Sequence, residues 1–145
     1  MMTTDASAAP IMLLVEDESA LLLVLEEELS DAGFSVVVAS DGAKAIAELD
    51  ADGGRFRAII TDVRLGKGPS GWDVGHRARE VVSGIPVIYM SGDSVHEWSA
   101  NGVPESVILQ KPFVIAQLIT ALTTLLNQAT SAAALSDAMK GNGGS

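Results

Sequence analysis

Apolar and polar positions fall into alternating blocks along this chain. Five short apolar runs each give way to a longer stretch where apolar residues recur three or four positions apart. The runs are Ile11 to Val15, Phe34 to Ala39, Arg57 to Asp62, Ile85 to Met90 and Ser106 to Leu109. Adjacent Ile59 and Ile60 want burial on both faces of one strand, as in a central parallel strand covered by helices. Between the runs lie helical patterns. Glu18 to Ala32 places Leu22, Leu25, Leu29 and Ala32 on one face and Glu26, Glu27 and Asp31 on another, with Gly33 as its stop. Ser40-Asp41 offers a cap for a helix to about Leu49, and Asp52-Gly53-Gly54 is a turn. A helix to about Val82 follows the loop Gly66 to Gly71, a short weak one covers Val95 to Ala100, and the last runs from Phe113 to about Gln128.

Five β-α repeats of this kind predict an α/β fold: a doubly wound parallel sheet with right-handed crossovers and helices on both faces. In such a sheet all strands point the same way, and ligands bind at their carboxyl ends. Glu16 and Asp17 follow strand one, Asp62 ends strand three, Ser91 follows strand four and Lys111 follows strand five. Strand two brings nothing comparable.

A chain of 145 residues is the size of one domain. Residues 1–10 and 129–145 are expected to be flexible, leaving 11–128 as the folded unit. The sequence is 48% hydrophobic but only 4% aromatic, so the core is aliphatic. The absence of cysteine excludes disulfides and thiolate metal sites. A net charge of −10 argues against nucleic acid and against anionic membranes. No charged n-region precedes an apolar stretch at the N-terminus, so no signal peptide is expected and the cytoplasm is the expected compartment. Pro112 to Ser136 carries no charge, but Gln117, Thr120, Thr123, Thr124, Asn127 and Gln128 interrupt it, which favours an apolar helix of a water-soluble domain over a membrane span.

Three carboxylates brought together repel, and stay ionised only beside a compensating cation. Oxygen ligands without nearby histidine or cysteine select a hard ion, with Mg²⁺ the default. A lysine at the same edge adds a fixed charge for an anion, and a serine adds a rotatable donor. Together they suit phosphoryl transfer onto a carboxylate. Each residue alone has a plainer reading. Asp62 could be a turn residue, Glu16-Asp17 could serve the dipole of the next helix, Ser91-Gly92 could be a turn and Lys111 a solvated charge. Their convergence at one end of one sheet favours the chemical reading. His76 and His96 read as surface residues, and Trp72 and Trp98 as packing.

Val15-Glu16-Asp17-Glu18, Thr61-Asp62-Val63-Arg64-Leu65, Met90-Ser91-Gly92 and Gln110-Lys111-Pro112-Phe113 resemble the signature of response-regulator receiver domains of two-component signalling. The resemblance spans about Ile11 to Asn127. It implies a flavodoxin-like (βα)5 sheet of order 2-1-3-4-5 and phosphotransfer from a sensor histidine kinase or a phosphotransfer protein. By motif, Asp62 is then the phosphoacceptor. Asp17, Asp62 and the Arg64 backbone carbonyl would ligate Mg²⁺ directly, and Glu16 through water. Ser91 would be the switch hydroxyl, Lys111 the phosphate-pairing lysine, and Lys111-Pro112 a cis peptide. Three features depart from the pattern. The acidic pair is Glu16-Asp17 rather than two aspartates. The loop after Asp62 is one residue longer, with its proline displaced to Pro69. Ile108 stands where many receivers carry an aromatic switch residue, so a rearrangement around Ser91 and the weak fourth helix is the expected alternative.

The chain therefore reads as a stand-alone receiver that switches a downstream protein partner or relays its phosphoryl group. No turnover of an external small molecule is expected, because Arg64 stands where Asp-nucleophile phosphatases of similar fold need a second aspartate. The alternative is a pseudo-receiver acting only as a binding module. In the last helix Val114, Leu118, Leu122 and Leu125 follow core spacing. Ile115 and Ile119 fall beside that stripe and suggest a homodimer or partner surface with strand five and helix four.

Overall fold

The structure, a computed structural model, describes residues 9–143, with side-chain surroundings through residue 131. Five parallel strands form one sheet in the order β2-β1-β3-β4-β5. They are β1 (Ile11–Val15), β2 (Ser35–Ala39), β3 (Phe56–Asp62), β4 (Val87–Ser91) and β5 (Val107–Gln110). The helices are α1 (Ser19–Asp31), α2 (Gly42–Asp52), α3 (Gly71–Val81), α4 (Trp98–Asn101) and α5 (Ile115–Gly143), with 3-10 turns at Gly53–Arg55 and Val95–Glu97. This is the flavodoxin-like arrangement, with strand order reversing between β1 and β3.

The period of two along the strands sorts the core into two layers. Leu13, Val15, Ile59, Val87 and Tyr89 pack with residues of α2 and α3 on one face. Met12, Leu14, Ile60, Ile88 and Met90 pack under α1 and α5 on the other. Ile59 and Ile60 thus face opposite layers, and both are fully buried. Burying such a side chain contributes roughly 1.5–3 kcal/mol, which fixes the register of β3 and hence where it ends.

Local signals position the helices. Asp41 accepts from the Lys44 amide at 2.7 Å and caps α2. Ser70 and Asp73 form a capping box at the start of α3, from a Ser-x-x-Asp pattern in the sequence. At Gly33 the backbone turns left-handed (φ 101) and closes α1.

Three expectations need correction. The last helix does not end near Gln128 to leave a tail from 129; it continues to Gly143. Alanines at 129, 132, 133, 134 and 138, with no proline and no glycine before Gly141, carry the helix on. Residues 1–8 lie outside the described residues, so the expected flexible lead-in does too. The second correction concerns Val114, expected in the core but 64% exposed. The helix begins at Ile115, so Val114 precedes it and does not share its phase. Thirdly, Ile115 and Ile119 are half-buried against the α1-side core, and expose less apolar surface than their spacing suggests. Among the described residues no helix is long and apolar enough to cross a membrane.

Candidate phosphorylation site

Asp62 is the last residue of β3, at the carboxyl edge between β1 and β4. The strand ends there because its neighbours hold it there. Val63 donates its amide to the Met90 carbonyl at 2.9 Å, and the Lys111 amide donates to the Ser91 carbonyl at 2.8 Å. From the other side, the Glu16 amide donates to the Ala39 carbonyl at 3.1 Å. Strand two therefore does contribute, through its backbone. Gly71 opens α3 directly beneath: a Cβ there would collide with the Asp62 carbonyl oxygen, so only glycine lets the helix start that close to the strand tip.

Four ionisable side chains converge. Carboxylate oxygens of Glu16, Asp17 and Asp62 all lie within 4.8 Å of one another. Lys111 reaches in with its Nζ 2.8 Å from Glu16 Oε1 and 3.2 Å from Asp62 Oδ2. The second Glu16 oxygen accepts from the Glu18 amide at 3.0 Å. Glu16 is 1% exposed and Asp62 8%, whereas Asp17 is open to solvent. One lysine against three carboxylates leaves excess negative charge.

The effect shows on Asp62. Burial, with repulsion from Glu16 and Asp17, pushes its pKa up to about 6, against the pull of Lys111. For Lys111, burial disfavours the charge, but the hydrogen bond to Glu16 and the charges of Asp62 and Glu16 prevail and raise its pKa. The donors fit a hard divalent cation: three carboxylates on one edge, no histidine or cysteine in the cluster among the described residues, and an aspartate whose pKa is raised by burial and by its acidic neighbours.

Ser91 ends β4 and is buried. Its hydroxyl oxygen accepts from the amides of Asp93 at 3.2 Å and Ser94 at 2.7 Å, so its own proton remains available to another acceptor. Arg64 lies on the loop after β3, and its Nε donates to Asp93 across the mouth of the site. The Lys111-Pro112 peptide is cis. Glu16, Asp17, Asp62, Ser91 and Lys111 thus reach one edge of the sheet, with Arg64 on the loop that follows it. Sequence reasoning missed the role of Asp93, although Asp93 sits two residues after Ser91 just as Arg64 sits two after Asp62. It also missed Ser94.

Residues 12–123 match the response regulator receiver domain family. The chain belongs to that family. It is similar to a response regulator receiver protein from Sinorhizobium medicae, at 48% identity and a TM-score of 0.79, covering 82% of this chain and 95% of that one. It also resembles the receiver domain of the sensor histidine kinase PA1611 from Pseudomonas aeruginosa, solved with magnesium coordinated in its active-site cleft. That likeness is 26% identical with a TM-score of 0.71, and covers 83% of this chain and 99% of that one. Among curated proteins, the transcriptional regulatory protein PrrA of Mycobacterium tuberculosis is 33% identical over 129 residues, 86% of this chain and 53% of PrrA. The receiver thus spans about half the length of such relatives.

The receiver's other features are structural. Trp72 packs on Tyr89 with ring centroids 4.8 Å apart, and Trp98 donates to the Ser106 hydroxyl at 2.9 Å. Ile108, in place of an aromatic switch residue, packs against the α2/α3-side core. His76 contacts the Asn101 carbonyl at 2.9 Å and stays exposed, as His96 does.

Proposed function

We propose that this receiver accepts a phosphoryl group on Asp62 from the phosphohistidine of a sensor kinase or phosphotransfer protein. The observation that carries the reading is Lys111 Nζ, 3.2 Å from Asp62 Oδ2, at the edge where three carboxylates meet. In the transfer an Asp62 carboxylate oxygen bonds to phosphorus while the bond from phosphorus to the histidine nitrogen breaks, and the nitrogen keeps the electron pair. An acyl phosphate results, which water later hydrolyses. Glu16, Asp17 and Asp62 would hold Mg²⁺, which when bound offsets their charge and that of the phosphoryl oxygens. Lys111, already between Glu16 and Asp62, pairs with the new phosphoryl group. The Ser91 hydroxyl proton, left free by its two amide donors, turns to a phosphoryl oxygen. No external small molecule is turned over.

The phosphodonor would dock beside the site. A groove of about 470 Å³ between α1 and the start of α5 is lined by Leu21, Val24, Leu25, Phe113 and Ile115, and borders Lys111. Val24 is 56% exposed and its neighbour Leu23 65%, an apolar surface suited to a partner helix. Phosphorylation then alters binding of a downstream protein in the cytoplasm.

Incubation with Mg²⁺ and acetyl phosphate tests the reading. An acid-stable, alkali-labile phosphoryl group should appear on wild type and be absent from Asp62→Asn. Failure to label with acetyl phosphate and with any kinase would replace this reading with a phosphorylation-independent binding module.

A further inference from the structure

Arg64 is the unusual charge in this site. It stands two residues after Asp62, yet the charges acting on the Asp62 carboxylate are those of Glu16, Lys111 and Asp17. Arg64 directs its own charge away, to Asp93 on the loop after β4. Only Nε engages, at 2.9 Å from Oδ1 and 2.8 Å from Oδ2. Neither Nη group has a hydrogen-bond partner among the described residues, so four N–H donors are unclaimed. Glu97 contributes a second negative charge on the same side. Both members of the pair are exposed, at 69% and 58%, and such pairs hold weakly. Asp93 is tied in turn to the Ser94 hydroxyl at 2.9 Å, and the Ser94 amide to Ser91. The segment beyond is thin: neither the Val95–Glu97 turn nor α4 buries a residue.

We infer that Arg64 is an exchangeable cation: it pairs with Asp93 while Asp62 is unmodified, and transfers to the phosphoryl group once Asp62 carries one. This rests on Asp62 being the phosphoacceptor. A phosphoryl group brings a charge of roughly −1.5 to −2 and three acceptor oxygens. Against a single exposed carboxylate held through one N–H, it offers the free Nη donors a fork-shaped partner. The exchange releases the Asp93–Ser94 loop from the β3–α3 loop, and with it the lightly anchored turn and α4. It supplies a switch for a receiver whose position 108 is a half-buried isoleucine packed against the core.

The competing account is a simple latch, in which the Arg64–Asp93 pair only holds the two loops together. The two accounts differ in sign. Under exchange, Asp93 competes for Arg64, so removing Asp93 strengthens binding of a phosphoryl group and removing Arg64 weakens it. Under a latch, both removals loosen the same loops and shift binding the same way. Only side chains change in these variants, so the Arg64 carbonyl is untouched.

The experiment is calorimetric titration of the full chain with beryllofluoride in the presence of Mg²⁺. Because Glu97 also faces Arg64, the freed-arginine variant is Asp93→Asn with Glu97→Gln. It should bind the mimic about two- to fivefold more tightly than wild type, the scale of one exposed ion pair. Arg64→Gln should bind about tenfold more weakly, the scale of a lost charge-assisted hydrogen bond. In the Arg64→Gln background, adding the two acidic substitutions should change nothing further. Shifts of the same sign in the two variants, or no shift in either, would overturn the exchange. Asp62→Asn separates the two levels of the account. If it binds the mimic as wild type does, or if wild type binds none, the phosphoacceptor reading fails and the exchange falls with it.

Discussion

The two ends of the same sheet handle charge in opposite ways. At the amino end, Arg79 donates to the carbonyls of Ile85 and Pro104, each at 2.6 Å, and to that of Glu105 at 3.4 Å. Nearby, Arg77 pairs with Asp50 at 2.8 Å and Glu80 at 3.0 Å. These two cations meet acceptors, and Arg79 staples the loops before β4 and β5. At the carboxyl end three carboxylates share one lysine, and burial together with the acidic neighbours pushes the pKa of Asp62 up to about 6. Nothing in folding requires that arrangement, and folding alone would disfavour it. A fold keeps such unrelieved charge where a cation and an anionic group are to be bound.

The contrast can be broken at either end, and the expected effects fall in order. Lys111→Ala should be the most damaging without added Mg²⁺. It leaves buried Glu16 beside two other carboxylates with no counter-charge, at a cost of about 3 kcal/mol in denaturant unfolding at neutral pH. Asp62→Asn should act in the other direction and be stabilising. The folded-state pKa lies above the ordinary 3.8, so the folded protein binds more protons than the unfolded chain between about pH 4 and pH 6. Wild-type stability therefore falls as pH rises through that window, and is lowest relative to Asp62→Asn above pH 6. The difference should approach about 3 kcal/mol at pH 7 to 8 and vanish below about pH 4. Mg²⁺ should shrink it by raising the stability of wild type. A thermal-unfolding series across pH, with and without Mg²⁺, checks both signs.

At the other end, Arg79→Met should cost about 2 kcal/mol by orphaning loop carbonyls. It should leave the initial rate of labelling by acetyl phosphate within about twofold of wild type. A large rate change there would mean the two ends are coupled more tightly than their separate networks suggest. Smallest is Trp98→Phe, which removes the donor to the Ser106 hydroxyl and should cost about 1 kcal/mol.

Much of this was legible in the sequence for a physical reason. Unbroken apolar runs such as Met12 to Val15 and Ala58 to Ile60 can be satisfied only between two layers of helices. Once β3 is placed, its end at Asp62 follows. Parallel strands then bring Glu16, Asp17, Ser91 and Lys111 to the same edge without any further information. What was not legible depends on side-chain direction or on helix phase. Val114 sat on the core spacing of α5, but the helix starts one residue later and leaves it exposed. Ile115 and Ile119, read as a surface, are half-buried because α5 leans its flank on the α1-side core. The helix also passes Gln128, since alanines continue it where an end had been expected. Asp93 carried no signal of its own; only the geometry shows which arginine it faces.

Peptide mapping of the wild-type receiver after brief exposure to acetyl phosphate and Mg²⁺ tests the central claim most directly. The account predicts one phosphorylated site, at Asp62, dependent on Mg²⁺, lost on chelation before labelling and absent from Asp62→Asn. Labelling that persists in Asp62→Asn, or that settles on another residue of wild type, would contradict it.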